Sequence, residues 1–320
     1  MKKRLISIII IGIMIIGLTG CGIANKNSVE NMVKEADILD WEDVSKTVRD
    51  NGAKAEDYND KLYIYTAEVY SIEEDYCQLE YTNPIMAYLD KETLKSLNKG
   101  DIITVVGTMK DVSDFPKLKD AIKLDKNTIK KYFIMDIVKK DGLSSLNMTY
   151  SDYEVDKNTG LVTSYKTKGS SNATHKLKYD TNGNLLEDSK EMVLYGTETI
   201  TYTYNKDNTV DTQTESKTKD GKTEQGNVWK YTYEKDSKDR VTKKTGVNTT
   251  SDNQYTMVYT YEYGDDDKVI KETQTSPRST YIINYEYDEF DNKVKEISYN
   301  IDKPTSKTTI TNTYRIIAKK

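Results

Sequence analysis

The pattern of apolar and polar positions divides the chain into three stretches. The first is Met1-Lys2-Lys3-Arg4, then an apolar run from Leu5 to Leu18, then Thr19-Gly20-Cys21. A membrane-spanning helix needs about 20 apolar residues, and this run is shorter. Its basic head, apolar centre and small-residue end have the layout of an export signal. In the second stretch Asp40 stands as an N-cap before Trp41, Val44 and Val48, which share one helical face, and Gly52 lies past the end. Leu62 to Ile72, Tyr76 to Tyr81 and Ile85 to Leu89 read as strands, and Lys91 to Leu97 as helical turns. Ile102 to Met109 and Lys117 to Leu124 read as two further strands after the turn Lys99-Gly100-Asp101. Three strands, a helix and two strands is the order of a five-stranded Greek-key barrel.

The third stretch, from about residue 148, repeats itself. Tyrosines at 153, 179, 204, 233, 263 and 287 each precede an acidic or amide turn and then an aliphatic residue, at a period of 24 to 30 residues. A near-fixed period of that size marks a repeat architecture. Within a unit, Thr201-Tyr202-Thr203-Tyr204 and Val258-Tyr259-Thr260-Tyr261-Glu262-Tyr263 alternate with period two. That period places the tyrosines on one strand face and Thr or Glu on the other. Asn-Gly and related pairs tolerate the positive φ of a tight turn. Each unit is therefore a β-hairpin. A lone hairpin is marginal in water, so consecutive hairpins are expected to pair edge to edge as an antiparallel meander. The segment between the two regions is ambiguous: Ile129, Phe133 and Ile137 fit a helix, whereas Tyr132-Phe133-Ile134-Met135 fits a strand.

Composition changes this picture at a few points. Tyrosine is abundant, at 26 residues against 3 Phe, which suits sheets with one wet face. The formal charge is −5, and loss of the leader with Lys2, Lys3 and Arg4 makes the mature chain three charges more acidic. An acidic surface argues against nucleic acid, whose binding rests on Lys and Arg at phosphates. Of the two cysteines, Cys77 is the one outside the leader motif. An intramolecular disulfide and a cysteine zinc cluster are therefore not expected, and Cys77 reads as a small buried strand residue.

Leu18-Thr19-Gly20-Cys21 resembles the processing motif of bacterial lipoproteins at all four positions. The resemblance implies a diacylglyceryl group on the Cys21 thiol and cleavage before Cys21, which places the protein on the extracytoplasmic face of the cell membrane. Two acyl chains anchor where one gives only reversible binding. Residues 35 to about 125 resemble the OB-like domains labelled tRNA-anti-like. The match is carried by Asn51, Ala55, Tyr58, Lys61, Val69, Ile72 and the run Leu97-Asn98-Lys99-Gly100-Asp101-Ile102-Ile103-Thr104-Val105-Val106-Gly107. That family's name implies nucleic acid, but Glu68, Glu73, Glu74, Asp75 and Glu80 lie among Tyr63, Tyr65, Tyr70, Tyr76 and Tyr81 and would repel phosphate. The hairpin units resemble YD (Rhs-type) repeats. Tyr179-Asp180 with Gly183-Asn184-Leu185 is the closest copy, and Tyr287-Asp288 with Asp291-Asn292 comes next.

Candidate chemistry is sparse. Asp265-Asp266-Asp267 and Asp180, Asn182 and Asn184 carry oxygens of the kind Ca²⁺ takes, but hairpin turns use the same residue types. His175 is the single histidine, has no serine elbow nearby, and reads as a solvated strand residue. No catalytic set, metal-ligand spacing or cofactor motif stands out. The expectation is a mainly β, non-enzymatic, lipid-anchored envelope protein: signal peptide 1–20, tether 21–34, OB-like barrel with short helices 35–128, linker 129–147 and hairpin repeats 148–320. Tyr202, Tyr204, Tyr259, Tyr261 and Tyr263 are the candidate ligand-face aromatics, with an envelope glycan or a protein as partner. A polysaccharide hydrolase using a carboxylate pair and an immunity or assembly protein are the alternatives.

Overall fold

A computed structural model describes residues 26–39, 44–45, 55–112, 116–142, 147–169, 172–250 and 255–320. The leader motif Leu18, Thr19, Gly20 and Cys21, and the helix expected around Trp41 and Val48 apart from residues 44–45, lie outside the described residues.

Two closed β-barrels make up the fold. A short strand β1 (Asp37–Ile38) adds parallel to the edge of the small one, which itself uses β2 (Leu62–Ile72), β3 (Cys77–Leu79), β4 (Ile85–Ala87), β5 (Ile102–Lys110) and β6 (Lys117–Lys123). The strands run round it in the order β2-β3-β4-β6-β5, and β5 returns to pair with β2. All pairings within the barrel are antiparallel except β4 with β6. A short helix, α2 (Lys91–Ser96), bridges β4 and β5, and the Asp90 carboxylate accepts from the Glu92 and Thr93 amides at its start. The Greek-key order expected from the sequence is therefore present. Its core is dry: Tyr65, Val69, Cys77, Leu79, Ile85, Val105, Met109 and Leu118 are buried together. Burial pushes the Cys77 thiol up to about 11, as for an inert packed cysteine.

The large barrel has fourteen antiparallel strands in up-and-down order. It begins with β7 (Phe133–Asp141), β8 (Met148–Val155), β9 (Val162–Gly169), β10 (Ala173–Tyr179) and β11 (Leu185–Met192). It continues through β12 (Gly196–Tyr204), β13 (Val210–Lys219), β14 (Lys222–Lys235), β15 (Val241–Asn248) and β16 (Tyr255–Tyr263). It ends with β17 (Val269–Thr275), β18 (Thr280–Tyr287), β19 (Lys293–Asn300) and β20 (Lys307–Lys319). The open meander is thus corrected to a barrel, because β20 pairs along its length with β7. Closure removes both free sheet edges, which an open array of this length would expose.

Two segments also differ from expectation. The stretch read as a linker contains β7, the strand that closes the barrel, reached through α3 (Lys126–Tyr132). The stretch read as a tether contains α1 (Lys26–Glu35), which packs Val33 into a second apolar cluster. That cluster holds Val33, Ile64, Leu124, Ile129, Phe133, Phe290 and Ile316, so it joins the two barrels through shared apolar burial. Ion pairs reinforce the joint: Asp291, on a large-barrel turn, meets Lys126 at 2.9 Å and Lys130 at 2.6 Å, both on α3. Arg315 of β20 pairs with Glu80 beside β3.

Candidate functional site

The repeating tyrosine does structural work that its spacing alone does not reveal. In each unit its hydroxyl donates to a backbone carbonyl of the preceding hairpin. Tyr179 reaches Val162 O at 2.9 Å; Tyr204, Tyr233, Tyr263 and Tyr287 reach the carbonyls of Leu185, Val210, Val241 and Val269 at 2.8 Å. Tyr153 bonds in the same way to the carbonyl of Ile137. The aliphatic residue after each turn is therefore the acceptor for the next unit's tyrosine. Where the series ends, Asn312 of β20 takes over, with its side-chain amide donating to Lys293 O at 2.9 Å.

The turns follow the same economy. The Asp180 carboxylate accepts from the amides of Asn182 and Asn184, that of Asp236 from Lys238 and Arg240, and that of Asp288 from Phe290 and Asn292. The residue three places on adopts positive φ, at Gly183 (84°), Asp239 (64°) and Asp291 (72°). Gly, Asp and Asn are the residue types that reach this region at least cost. The Ca²⁺ candidates resolve here: the carboxylate of Asp180 is engaged by its own turn, while Asp266 and Asp267 pair with Lys268, Lys238 and Arg240. No group of metal-ligating side chains occurs among the described residues.

Alternation sorts each strand into two faces, and burial separates the inner from the outer one. Thr201, Thr203, Lys230, Thr232, Glu234, Thr260 and Glu262 are exposed, while Tyr202, Tyr204, Tyr231, Tyr233, Tyr259 and Tyr261 between them are half-buried. Cross-strand register carries the inner row from Tyr202 to Gln213, Trp229, Asn248 and Tyr255 on successive strands. Tyr202, Tyr231 and Tyr259 stand on this same face of β12, β14 and β16. The outer row reads Lys176, Ser189, Thr199, Ser216 in one tier and Thr203, Thr212, Lys230, Val247 in another. The inward side chains stay half-exposed. Among the described residues the barrel strands and turns add only Phe133, Val162, Ala173, Phe290 and Ile316 to the buried apolar set. The interior is therefore a tyrosine-lined lumen. Fourteen strands exceed the roughly eight at which side chains fill a barrel.

Two parts of the lumen wall carry distinct chemistry. On β12 to β18 the rings of Tyr202, Tyr231, Tyr259, Tyr261 and Tyr285 alternate with polar groups. Tyr231 donates to Gln213 at 3.2 Å and Tyr285 to Glu272 at 2.8 Å. Tyr202, Tyr259 and Tyr261 spend their hydroxyls on no partner among the described residues. The Lys244 ammonium sits over the Tyr259 ring at 4.0 Å and near the Tyr231 ring at 5.1 Å, and burial lowers its pKa. Gly246 lets the Tyr231 ring lie flat on the wall, since a Cβ there would sit 2.7 Å from its Cε1. Burial pushes the hydroxyls of Tyr231 and Tyr233 up to about 12, so both remain protonated donors.

On β7 to β10 the wall holds Asp136, Tyr150, Tyr153, Tyr165, His175 and Tyr179. Tyr165 stacks on His175 with centroids 4.5 Å apart and planes 8° off parallel, and it also meets Tyr153 at 5.7 Å and Tyr150 at 5.9 Å. His175 Nδ1 lies 3.0 Å from an Asp188 carboxylate oxygen. The solvated histidine is thereby corrected: its side chain keeps 12% exposure, because strand order turns it into the lumen. Burial raises the Asp136 carboxyl, opposed only by the Ile137 amide it accepts from at 2.7 Å.

Of the five aromatics singled out in the sequence, all lie on the inner wall. Tyr204 and Tyr263 are committed to carbonyls, whereas Tyr202, Tyr259 and Tyr261 present free hydroxyls. The Asp136 and His175 wall was missed; a carboxylate inside the apolar run Phe133 to Val138 was the available signal. On the small barrel Tyr63 and Tyr65 are buried, Tyr70 packs on Tyr81 at 4.9 Å and Tyr76 on Tyr88 at 5.4 Å.

No known family matches the chain, and no curated protein matches it. Among solved structures, a porin-like protein from Bacteroides vulgatus ATCC 8482 aligns over 55% of this chain and 97% of its own, at 14% identity and TM-score 0.34. A porin-like protein from Bacteroides uniformis ATCC 8492 aligns over 79% and 95%, at 11% identity and TM-score 0.34. Scores of that size transfer neither protein's role to this chain.

Proposed function

We propose that this chain is a non-enzymatic, lipid-anchored envelope protein whose large barrel binds the sugar rings of an envelope glycan on its tyrosine wall. The observation that carries the reading is the wall itself. Tyr202, Tyr259 and Tyr261 turn inward with unspent hydroxyls, beside the polar ends of Gln213, Lys244 and Glu272. Ring faces pack on the C–H faces of sugars, and the flanking polar groups meet their hydroxyls. A barrel that spans a membrane shows an apolar outer band and a polar interior. Here the outer rows mix Val247, Val258, Ile282, Ile297 and Tyr299 with Thr, Ser, Lys and Glu, among them Lys230, Glu262, Lys271 and Lys295, while most of the aromatics are inside; an outer face broken by charges supports a barrel held beside a membrane. The leader motif ending at Cys21 supports the anchor. Four residues separate Cys21 from α1, five residue steps with a reach of at most about 18 Å. The small barrel, which packs on α1, would then stand next to the lipid.

The test uses the full mature chain on a glycan array, followed by calorimetry. The double variant Tyr259→Ala/Tyr261→Ala should weaken glycan binding by about a hundredfold, on the order of 1–3 kcal/mol per stacked ring. Absence of saturable binding by any cell-envelope glycan would refute the reading.

A further inference from the structure

The β11–β12 turn breaks the polar pattern of the large-barrel turns around it. Val193, Leu194 and Tyr195 form its tip and are 99%, 75% and 61% exposed. The fold does not ask for apolar side chains there. The turn is closed by the Tyr195 amide donating to Met192 O at 3.2 Å, and Gly196 supplies a positive φ of 81°. Polar turn formers complete other turns of the same end, as Asp220-Gly221 and Ser276-Pro277-Arg278-Ser279 do. Three adjacent apolar side chains held in water, where polar ones would close the turn equally well, mark a surface that something else covers.

Position and charge narrow what covers it. In an up-and-down barrel alternate turns share an end. The β18–β19 turn packs Phe290 against the small barrel, so the β11–β12 tip stands at the far end. It also stands on a projection. β15 joins β14 only from Trp229, so Lys222 to Asn227 run on beyond β15, about 20 Å of strand. The β11–β12 tip lies beside that extension, since a Cβ on Gly196 would stand 3.2 Å from Lys219 Cα. At the end of the extension Lys219 and Lys222 face each other directly across the strand pair. Like charges so placed are destabilising, and neither lysine has an ion-pair partner among the described residues. The acids nearby are otherwise engaged. Glu191 meets Lys176 at 3.4 Å, Glu198 meets Lys217 at 3.6 Å, Glu224 stands opposite Lys217, and Asp220 takes the positive φ of its turn.

We propose that the β11–β12 tip inserts into an anionic phospholipid bilayer. Val193 and Leu194 enter the acyl boundary, Tyr195 sits at the headgroup level, and Lys219 and Lys222 meet lipid phosphates. Tyrosine has an apolar body and a polar end, which suits that depth. Basic groups beside an apolar element are the pattern that holds anionic lipid. A folded protein fits less well: a stable interface takes about 800 Å² and roughly 20–30 residues on each side, whereas this tip offers three apolar side chains. A fluid bilayer needs no shape match. The tip stands at the end of the molecule away from α1, which leaves it open to a lipid surface facing the one proposed beside the small barrel. The inference uses neither the tyrosine wall nor Cys21, so it stands or falls apart from the glycan reading.

Vesicle sedimentation tests it on the full mature chain carrying Cys21→Ser, which has no lipid of its own. The chain should bind vesicles of phosphatidylcholine mixed with phosphatidylglycerol, and bind vesicles of phosphatidylcholine alone about tenfold or more weakly. Leu194→Asp should weaken binding to the anionic vesicles about tenfold or more, because an apolar side chain leaves the lipid. Lys219→Gln/Lys222→Gln should remove most of the preference for anionic vesicles, about fivefold per lysine. In Tyr195→Trp, brominated lipid should quench fluorescence beyond the quenching seen in the parent. Tyr259→Ala/Tyr261→Ala should leave vesicle binding unchanged, which separates this site from the sugar wall. No vesicle binding, equal binding to both lipids, or an unchanged affinity in Leu194→Asp overturns the proposal. So does a dimer that Leu194→Asp dissociates in the absence of lipid, which would make the tip a contact between copies. If a variant does not fold, the two-lipid comparison on the Cys21→Ser chain decides alone.

Discussion

The tyrosine-to-carbonyl bonds make a quantitative prediction about how the large barrel is held together. Tyr179, Tyr204, Tyr233, Tyr263 and Tyr287 each donate to the previous hairpin at 2.8 to 2.9 Å. Replacing one by Phe keeps the ring in place and removes only the hydroxyl. A net hydrogen bond contributes about 0.5–1.5 kcal/mol, and an orphaned carbonyl raises the loss. Successive units are two strands apart, so the bonds are separated by about 9.6 Å along the sheet. At that spacing, effects add to within a few tenths of a kcal/mol. The fivefold Phe variant should therefore lose about 5 kcal/mol, a sum comparable with the whole stability of many domains. Urea titration followed by far-UV circular dichroism measures it, with each single variant losing about 1 kcal/mol. Tyr261→Phe is the matched control, because its hydroxyl makes no bond among the described residues; it should be neutral. A fivefold variant as stable as the parent, or a Tyr261→Phe loss equal to that of Tyr263→Phe, would refute the reasoning.

Other expectations follow from single sites. Gly246→Ala places a Cβ against the Tyr231 ring and should cost about 1–3 kcal/mol in thermal melts, with weaker glycan binding as the ring is displaced. Asp291 is held well below the usual carboxylate range by Lys130, Lys268 and Lys126. A depressed folded pKa contributes stability above the unfolded value, about 4, and loses it as pH falls further. Acid titration of Asp291→Asn should thus show a shallower loss of stability below about pH 4 than the parent. Cys21→Ala should shift the protein from the membrane fraction to the soluble one; a variant that still matures and stays membrane-bound without acyl label would remove the anchor.

How far the chain could be read depended on whether the physics was local. The hairpin units were legible because each is settled within a few residues. Asp180 caps its own turn, Gly183 takes the positive φ, and Thr201 to Tyr204 alternate because successive strand residues face opposite ways. The small barrel was legible for the same reason, as its strands and the Asp90-capped helix occur in the order that the topology uses. The candidate aromatics were found as a row, but not divided into those that tie hairpins and those that are free. That division depends on which carbonyl lies across the strand pair.

Closure was decided elsewhere. It rests on β7 meeting β20, which are far apart in sequence, and no local pattern announces such a partner. The segment from Ile129 to Val138 was ambiguous because Ile129, Phe133 and Ile137 fit a helix while Tyr132 to Met135 fit a strand. In the fold one face packs against the small barrel through Phe133 and Met135, while Asp136 feels the lumen tyrosines. The same closure turned His175 from a solvent-facing residue into part of a wall. Alternation along each strand determined that most of the tyrosines share a face, with Tyr299 an exception, and that most of the threonines share the other. Only the curvature of fourteen paired strands decided which face is concave, because curvature comes from the summed twist and pairing of the whole sheet and from no residue in it.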